Sequence, residues 1–377
     1  MSFISSGVNP NQPRTTSTLI SVIMPNFNHA PVISRALRAL VQQVPAALEI
    51  IVIDDASTDD SVEVIKSIQD KHRQIRLIRH DSNRGTAAGI RTGIETASGE
   101  YLYFTAADDV VLPGLFASAL AALEANPAAA FFCADVAIID RGGAVIGLRP
   151  LMAPRASGGY LSPANVRTLF RSSDNWFVGP SVIYRRQPLS AIDYFDVALG
   201  SMCDQMTNRL LAFRNGFYYA PEILAACSVA PDTFSARSAL SRTESSRLIE
   251  ASCSWIARRF PEDVRGWYER LYERRLRFGM ARLWLVWQQR RLDADAIADL
   301  LDFGAFDRAV VRATSRFPLD PSLFVLVWMT VRMRPFGIPT LVKALVRQAT
   351  YHWISPWRTK PAVQRLLQEL RNSAPNQ

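Results

Sequence analysis

Leu19-Ile20-Ser21-Val22-Ile23-Met24-Pro25-Asn26-Phe27-Asn28 and Glu49-Ile50-Ile51-Val52-Ile53-Asp54-Asp55 decide the fold. Each is a short apolar run, rich in β-branched residues, that halts at polar ones. A run without alternation predicts a strand buried on both faces. Between them, Pro31 through Val44 places Ile33, Leu37, Leu40, Val41 and Val44 on one helical face, and Pro31 suits a first turn. Ser57 with Asp60 three residues on reads as a capping box, opening a helix with Val62, Ile65 and Ile68 inward. The alternation continues with a strand at Ile75–His80, a helix at Thr86–Thr96, a strand at Glu100–Thr105, a helix at Pro113–Glu124 and a strand at Ala129–Ile139. Strands separated by helices need crossover connections, so the expected fold is α/β, with a mostly parallel, Rossmann-like sheet flanked by helices.

Ligands of such sheets collect beyond the carboxyl ends of the strands. The residues there are Asn26 and Asn28, Asp54-Asp55, Asp81 through Gly85, and Asp108-Asp109. Adjacent carboxylates such as Asp108-Asp109 repel unless a cation lies beside them, and Mg²⁺ or Mn²⁺ takes one or two carboxylates with water and phosphate completing its shell. A solvated turn before a helix is the other reading of the pair. Asp55 suits a hydrogen bond to a nucleoside, or a helix cap with Ser57 and Thr58. Asn26 and Asn28 also suit a plain turn. Neither Gly-x-Gly-x-x-Gly, a P-loop nor a Gly-x-Ser-x-Gly elbow occurs, so dinucleotide, P-loop phosphate and serine-hydrolase chemistry have no support. His29, His72, His80 and His352 lack metal-ligand spacing and read as surface or helix residues. Four scattered cysteines without a C-x-x-C pair fit a reducing compartment.

Ser21-Val22-Ile23-Met24-Pro25-Asn26-Phe27-Asn28, followed by Ile51-Val52-Ile53-Asp54-Asp55-Ala56-Ser57-Thr58-Asp59, resembles the opening of the family 2 inverting glycosyltransferases of GT-A fold. The likeness continues through Asn83-Arg84-Gly85, Ala97-Ser98-Gly99-Glu100-Tyr101 and Ala107-Asp108-Asp109 with Pro113, and covers about residues 19–235. It implies that Pro25, Asn26, Asn28 and Arg84 lie near a nucleotide-sugar and that Asp55 binds the base. It implies further that Asp108 holds ribose or metal, and that Asp109 holds Mg²⁺ or Mn²⁺ on the diphosphate. Asp204, in Gly200-Ser201-Met202-Cys203-Asp204, matches the family's catalytic base. The implied activity is transfer of a sugar from a UDP- or dTDP-sugar to a glycan or lipid-linked glycan in surface polysaccharide synthesis, of which lipopolysaccharide is one type. Where the family often shows a further Asp, this chain has Ala106. That departure leaves a non-catalytic nucleotide-sugar-binding or scaffold protein as the alternative.

Charge is unevenly spread. Residues 1–255 carry 22 Lys and Arg against 23 Asp and Glu, whereas residues 256–377 carry 21 against 11. A basic end suggests an anionic surface, and without a nucleic-acid module the expected one is lipid. After about residue 235 the pattern is helical. Pro261–Arg291 carries Trp267, Trp284 and Trp287, readable as a membrane, nucleic-acid or packing face. Pro321–Val331 reads as core, and Ile338–Trp353 as an amphipathic helix, with Trp357 beyond it. The expected organisation is a tail at 1–18, a catalytic domain at 19–240 and an all-helical basic extension at 241–377. Met1 to Thr18 has neither the basic start nor the apolar stretch of a signal peptide. The longest apolar run near the C-terminus is eleven residues, against the ~20 needed to span a bilayer. The expected location is cytoplasmic, peripheral on the inner face of the membrane.

Overall fold

Register fixes where the polar strand ends fall. In the computed structural model, β1 (Ile20–Asn26) pairs in parallel with β2 (Glu49–Asp54), which sets Asn26 beside Asp54. β2 pairs in parallel with β3 (Ile75–Arg79), and β1 with β4 (Tyr101–Phe104). Four carboxyl ends therefore share one rim. The connections are α1 (Ala30–Val41), α2 (Ser61–Gln69) and α3 (Thr86–Thr96). The structure describes residues 20–44, 49–139, 145–150, 152–174, 177–228, 238–287, 293–314, 321–337 and 339–347. The expected tail at 1–18, and Asn175, Trp176, His352, Trp353 and Trp357, lie outside the described residues.

The sheet continues with β5 (Val110–Val111), α4 (Leu115–Ala125), β6 (Phe131–Ile139), β7 (Val145–Arg149), β8 (Gly159–Leu161), α5 (Pro163–Phe170), β9 (Ile183–Arg185), α6 (Arg186–Ser190), α7 (Cys203–Asn215) and β10 (Phe217–Ser228). Its order is β3-β2-β1-β4-β9-β6-β10-β5, with β7 beside β6 and β8 beside β10. The first four strands are parallel. Beyond β4 the sheet is mixed, because β9 enters antiparallel to both β4 and β6. The stretch Asn175–Arg186 reads as a strand from its sequence, but a three-residue strand leading straight into a helix carries no local sign of its direction.

Period-two alternation divides the core between the two faces. Ile20, Val22 and Met24 join Leu37 of α1, Ile65 of α2 and Phe116 of α4. Ile23 turns the other way, into a cluster with Ile53, Leu102, Phe170 and Phe213. Gly93 of α3 lies against that face so closely that a Cβ would stand 2.3 Å from Ile23 Cγ2.

The C-terminal helices are α8 (Arg242–Arg259), α9 (Glu262–Trp287), α10 (Ala294–Leu300), α11 (Ala305–Thr314) and α12 (Pro321–Met333), with residues 339–347 also helical. Tyr268 and Trp284 of α9 and Met333 of α12 belong to the same apolar cluster as Ile23. Trp284 is buried and donates to the Ala239 carbonyl, so it serves packing. Two expectations need correction. Val44 lies past the end of α1 and is exposed. In α12 only Val325, Met329 and Met333 are buried; Leu323, Val327 and Val331, on the opposite side, are 54–62% exposed, because a helix apolar all round has one face against the core and the other outside it. Among the described residues, no helix is long and apolar enough to cross a membrane.

Candidate active site

The rim begins with two loops fastened together. Asn26, closing β1, donates from Nδ2 to Asp54 Oδ1 at 2.8 Å and to Ser57 Oγ at 3.2 Å. The Asn28 N–H donates to the same Ser57 oxygen at 3.0 Å, and Asn28 Oδ1 accepts from the Thr58 N–H at 2.8 Å. Asn28 adopts φ +56°, a left-handed conformation that Asn tolerates better than most residues. Ser57 therefore ties the β1 loop to the β2 loop and does not open a capping box; α2 starts only at Ser61, and its N-cap, Asp60, makes no side-chain cap. Asp59 does cap, accepting from the Ala30 N–H of α1 at 2.9 Å. Asn26 Oδ1 is buried without a hydrogen-bond partner, and Pro25 packs near Gly89.

Asp55 stands next on the rim, almost fully buried. Its Oδ1 accepts from the Arg84 N–H at 2.9 Å and lies 2.7 Å from His80 Nδ1, while Oδ2 accepts from the Gly85 N–H at 2.7 Å. Burial pushes its pKa up, but the Arg84 N–H, His80 and the Gly85 N–H outweigh it and hold the carboxyl below its ordinary range. Arg84 thus contributes its main chain to Asp55, and its side chain is exposed. His80 is buried, with Nε2 3.0 Å from Thr92 Oγ1 on α3, so its reading as a surface or helix residue is overturned. Its place immediately after β3 was the available signal. Spacing rules for metal-binding histidines do not detect a histidine that orients a carboxylate.

Asp108 and Asp109 follow β4 in a turn closed by the Asp109 N–H on the Ala106 carbonyl at 3.3 Å. Burial first, and the charge of Asp108 second, push Asp109 well above the usual carboxylate range. Arg35 of α1 opposes this; its own pKa is lowered by burial and raised by both carboxylates. Nothing in the sequence marked Arg35, which faces the pair only through the packing of α1. Among the described residues, neither carboxylate has a hydrogen-bonded side-chain partner, and nowhere do three or more His, Cys, Asp or Glu side chains gather as metal ligands. Two adjacent carboxyl groups without hydrogen-bonded side-chain partners fit a divalent cation that draws its other ligands from water and diphosphate.

Asp204 sits in the first turn of α7, where Oδ1 accepts from the Gln205 N–H at 2.7 Å. Burial raises its pKa, against the Gln205 N–H and the charge of Arg209. A turn of 3₁₀ helix, Gly179–Ser181, lies beside it. A Cβ on Gly179 would lie 3.5 Å from Asp204 Oδ2. The next residue, Pro180, accepts from the Tyr103 hydroxyl at 2.8 Å, and that phenol feels the charge of Asp109. Ser181 anchors the turn to β6 by donating to the Ala134 carbonyl at 2.8 Å. Asn26 and Asn28 thus meet at Ser57, and Asp55 joins them through its N–H on the Asn26 carbonyl at 2.9 Å. Asp108 and Asp109 stand in a turn of their own, and the Gly179–Ser181 turn carries Asp204 on one residue and the Tyr103 hydroxyl on the next.

The match to known proteins falls on this rim. Residues 21–175 match the model of glycosyl transferase family 2. The uncharacterized glycosyltransferase YibD of Escherichia coli K12 is 39% identical over 97 residues, which are 26% of this chain and 28% of that protein. The match thus spans less than a third of that relative. Staphylococcus aureus TarS 1–349, solved in complex with UDP-GlcNAc, superposes with a TM-score of 0.55 at 14% identity, covering 85% of this chain and 93% of that one. The mannosyltransferase PcManGT of Pyrobaculum calidifontis, in complex with GDP-Man and Mn²⁺, gives 0.52 at 18% identity, covering 88% and 87%. At such identities the likeness is one of fold, and the fold is of GT-A type with a helical C-terminal region.

Proposed function

We propose that the protein is an inverting glycosyltransferase that moves a sugar from a UDP- or dTDP-sugar to a hydroxyl of a glycan or lipid-linked glycan, in cell-surface polysaccharide synthesis. The Gly179–Ser181 turn carries this reading, with Asp204 beside Gly179 and, on Pro180, the Tyr103 hydroxyl that feels the charge of Asp109. Asp55 accepts an N–H of the base, and Pro25, Asn26, Asn28 and Arg84 shape the loop around the nucleotide. Asp108 and Asp109 would hold Mg²⁺ or Mn²⁺, which when bound offsets charge on the diphosphate. Asp204 takes the acceptor hydroxyl's proton as that oxygen attacks the anomeric carbon. The bond from that carbon to the phosphate oxygen breaks, its electron pair leaves with the nucleoside diphosphate, and attack from the opposite face inverts the centre. A carboxylate raised by burial suits this work, since a base is most effective with a pKa near the working pH. PcManGT and TarS, whose complexes hold a nucleotide-sugar, support the donor class.

Residues 19–240 serve as the catalytic unit and 241–377 as a basic region that meets an anionic membrane surface from the cytoplasmic side. The exposed Leu323, Val327 and Val331 supply its apolar contact. Ala106 in place of a further carboxylate favours a second reading, a protein that binds the nucleotide-sugar without turning it over. Release of nucleoside diphosphate from a panel of sugar nucleotides, with and without Mn²⁺, separates the two: turnover supports the first, and binding by calorimetry without turnover supports the second.

A further inference from the structure

Arg209 follows Asp204 on α7 by about one and a half turns, and it is almost completely buried. Its Nη1 donates to the Gln205 carbonyl at 3.0 Å, and Gln205 is the residue whose N–H holds Asp204 Oδ1. Two bonds therefore separate the guanidinium from the carboxylate. Of the other two guanidinium nitrogens, one reaches outside the catalytic unit and one stays within it. Nε donates to the Tyr268 hydroxyl at 3.0 Å, and Nη2 donates to the Asp174 carbonyl at 3.0 Å. Tyr268 belongs to α9, and its hydroxyl donates in turn to Asp174 Oδ2 at 2.6 Å. Arg275, also of α9, closes the group 3.3 Å from Asp174 Oδ1 and donates to the Phe170 and Pro335 carbonyls at 2.7 and 2.8 Å. Burial pushes Asp174 up, but both guanidiniums and the Tyr268 hydroxyl outweigh it, so it stays charged.

Desolvation offsets most of the attraction within a buried ionic group, so stability gives little reason for one here. What the group does supply is one orientation for Arg209, because a planar guanidinium with three fixed acceptors cannot turn. We propose that Arg209 is a positioning residue for Asp204, and that Tyr268 holds Arg209 in that role, which makes the C-terminal helices part of the catalytic apparatus. The inference rests on the reading of Asp204 as general base.

The groups facing Asp204 are Gly179 of the 3₁₀ turn, Tyr184 of β9, and Cys203 and Arg209 of α7. Burial keeps the phenol of Tyr184 and the thiol of Cys203 neutral. Arg209 is thus the charge among them that draws Asp204 downward, and loosening it lets Asp204 rise.

The test is the pH titration of the Asp204 carboxyl ¹³C signal, assigned by its loss in Asp204→Asn, in protein without substrate. Tyr268→Phe keeps the ring and removes the hydroxyl. Its midpoint should move to higher pH by about half a unit or more, and nucleotide release from UDP-N-acetylglucosamine should fall about tenfold with donor KM within about twofold. Arg209→Lys, which keeps a cation for Asp174 but lacks the fork, should move the midpoint the same way and serves if Tyr268→Phe fails to fold. A lowered melting temperature with an unmoved midpoint overturns the inference and leaves the base reading standing. Wild-type nucleotide release by Asp204→Asn removes the base reading whatever the titration gives.

Discussion

His80 Nδ1 lies 2.7 Å from Asp55 Oδ1, the oxygen that also accepts from the Arg84 N–H, while the Gly85 N–H donates to Oδ2. One acidic side chain thereby gathers the ends of β2 and β3 and the start of α3. Because its folded pKa lies below its unfolded one, Asp55 contributes stability that is whole above the ordinary carboxylate value and fades as pH falls through the lowered one. Asp55→Asn should cost about 1–3 kcal/mol at neutral pH, read by urea denaturation. The gap to wild type should close on acidification to about pH 3. A gap that does not depend on pH would mean that the carboxylate charge has no part in it.

Asp109 works in the opposite sense. Its folded pKa is raised, so its contribution is whole below the ordinary carboxylate value and is lost as pH rises through the raised one. Asp109→Asn should therefore melt higher than wild type at pH 8, by about 1–3 °C, with the gain gone near about pH 4. Mn²⁺ should raise the melting temperature of wild type and leave the variant unmoved. Equal Mn²⁺ shifts in both proteins would take Asp109 out of the metal role.

The division between what the sequence told and what it hid follows the range of the interactions. β2 at Glu49–Asp54 and α3 at Thr86–Thr96 were readable to the residue, because apolar runs and helical spacing are local signals. So was the acidic character of the strand ends. Ser57 was misread because its hydroxyl has two suitors: a helix N–H three residues on, or the Asn28 N–H twenty-nine residues back, and the second holds it. His80, Arg35 and Tyr268 escaped for the same reason. Their partners come from other elements, and Tyr268 finds Asp174 across 94 positions.

Gly93 tests the packing of α3 on the sheet. A methyl there would stand 2.3 Å from Ile23 Cγ2 and 3.0 Å from Ile53 Cδ1, both inside the core. Gly93→Ala should cost about 1–3 kcal/mol by urea denaturation. A variant as stable as wild type would show that α3 stands farther from β1 than described.

The outer face of α12 tests the membrane reading. Vesicles containing anionic lipid should co-sediment the full chain at low salt, less so as salt screens the basic C-terminal third. Val327→Glu with Val331→Glu, at positions 54% and 62% exposed, should abolish most of that binding without lowering the melting temperature. Undiminished sedimentation would remove this face from the contact.

The division of labour between Asp109 and Asp204 is tested most directly by measuring donor binding and turnover on the same two variants. Calorimetry with a UDP-sugar and Mn²⁺ should show Asp204→Asn binding the donor as wild type does, while its transfer falls by about 100-fold or more; Asp109→Asn should lose the Mn²⁺-dependent binding itself. Full transfer by Asp204→Asn, or wild-type donor binding by Asp109→Asn, would contradict the account.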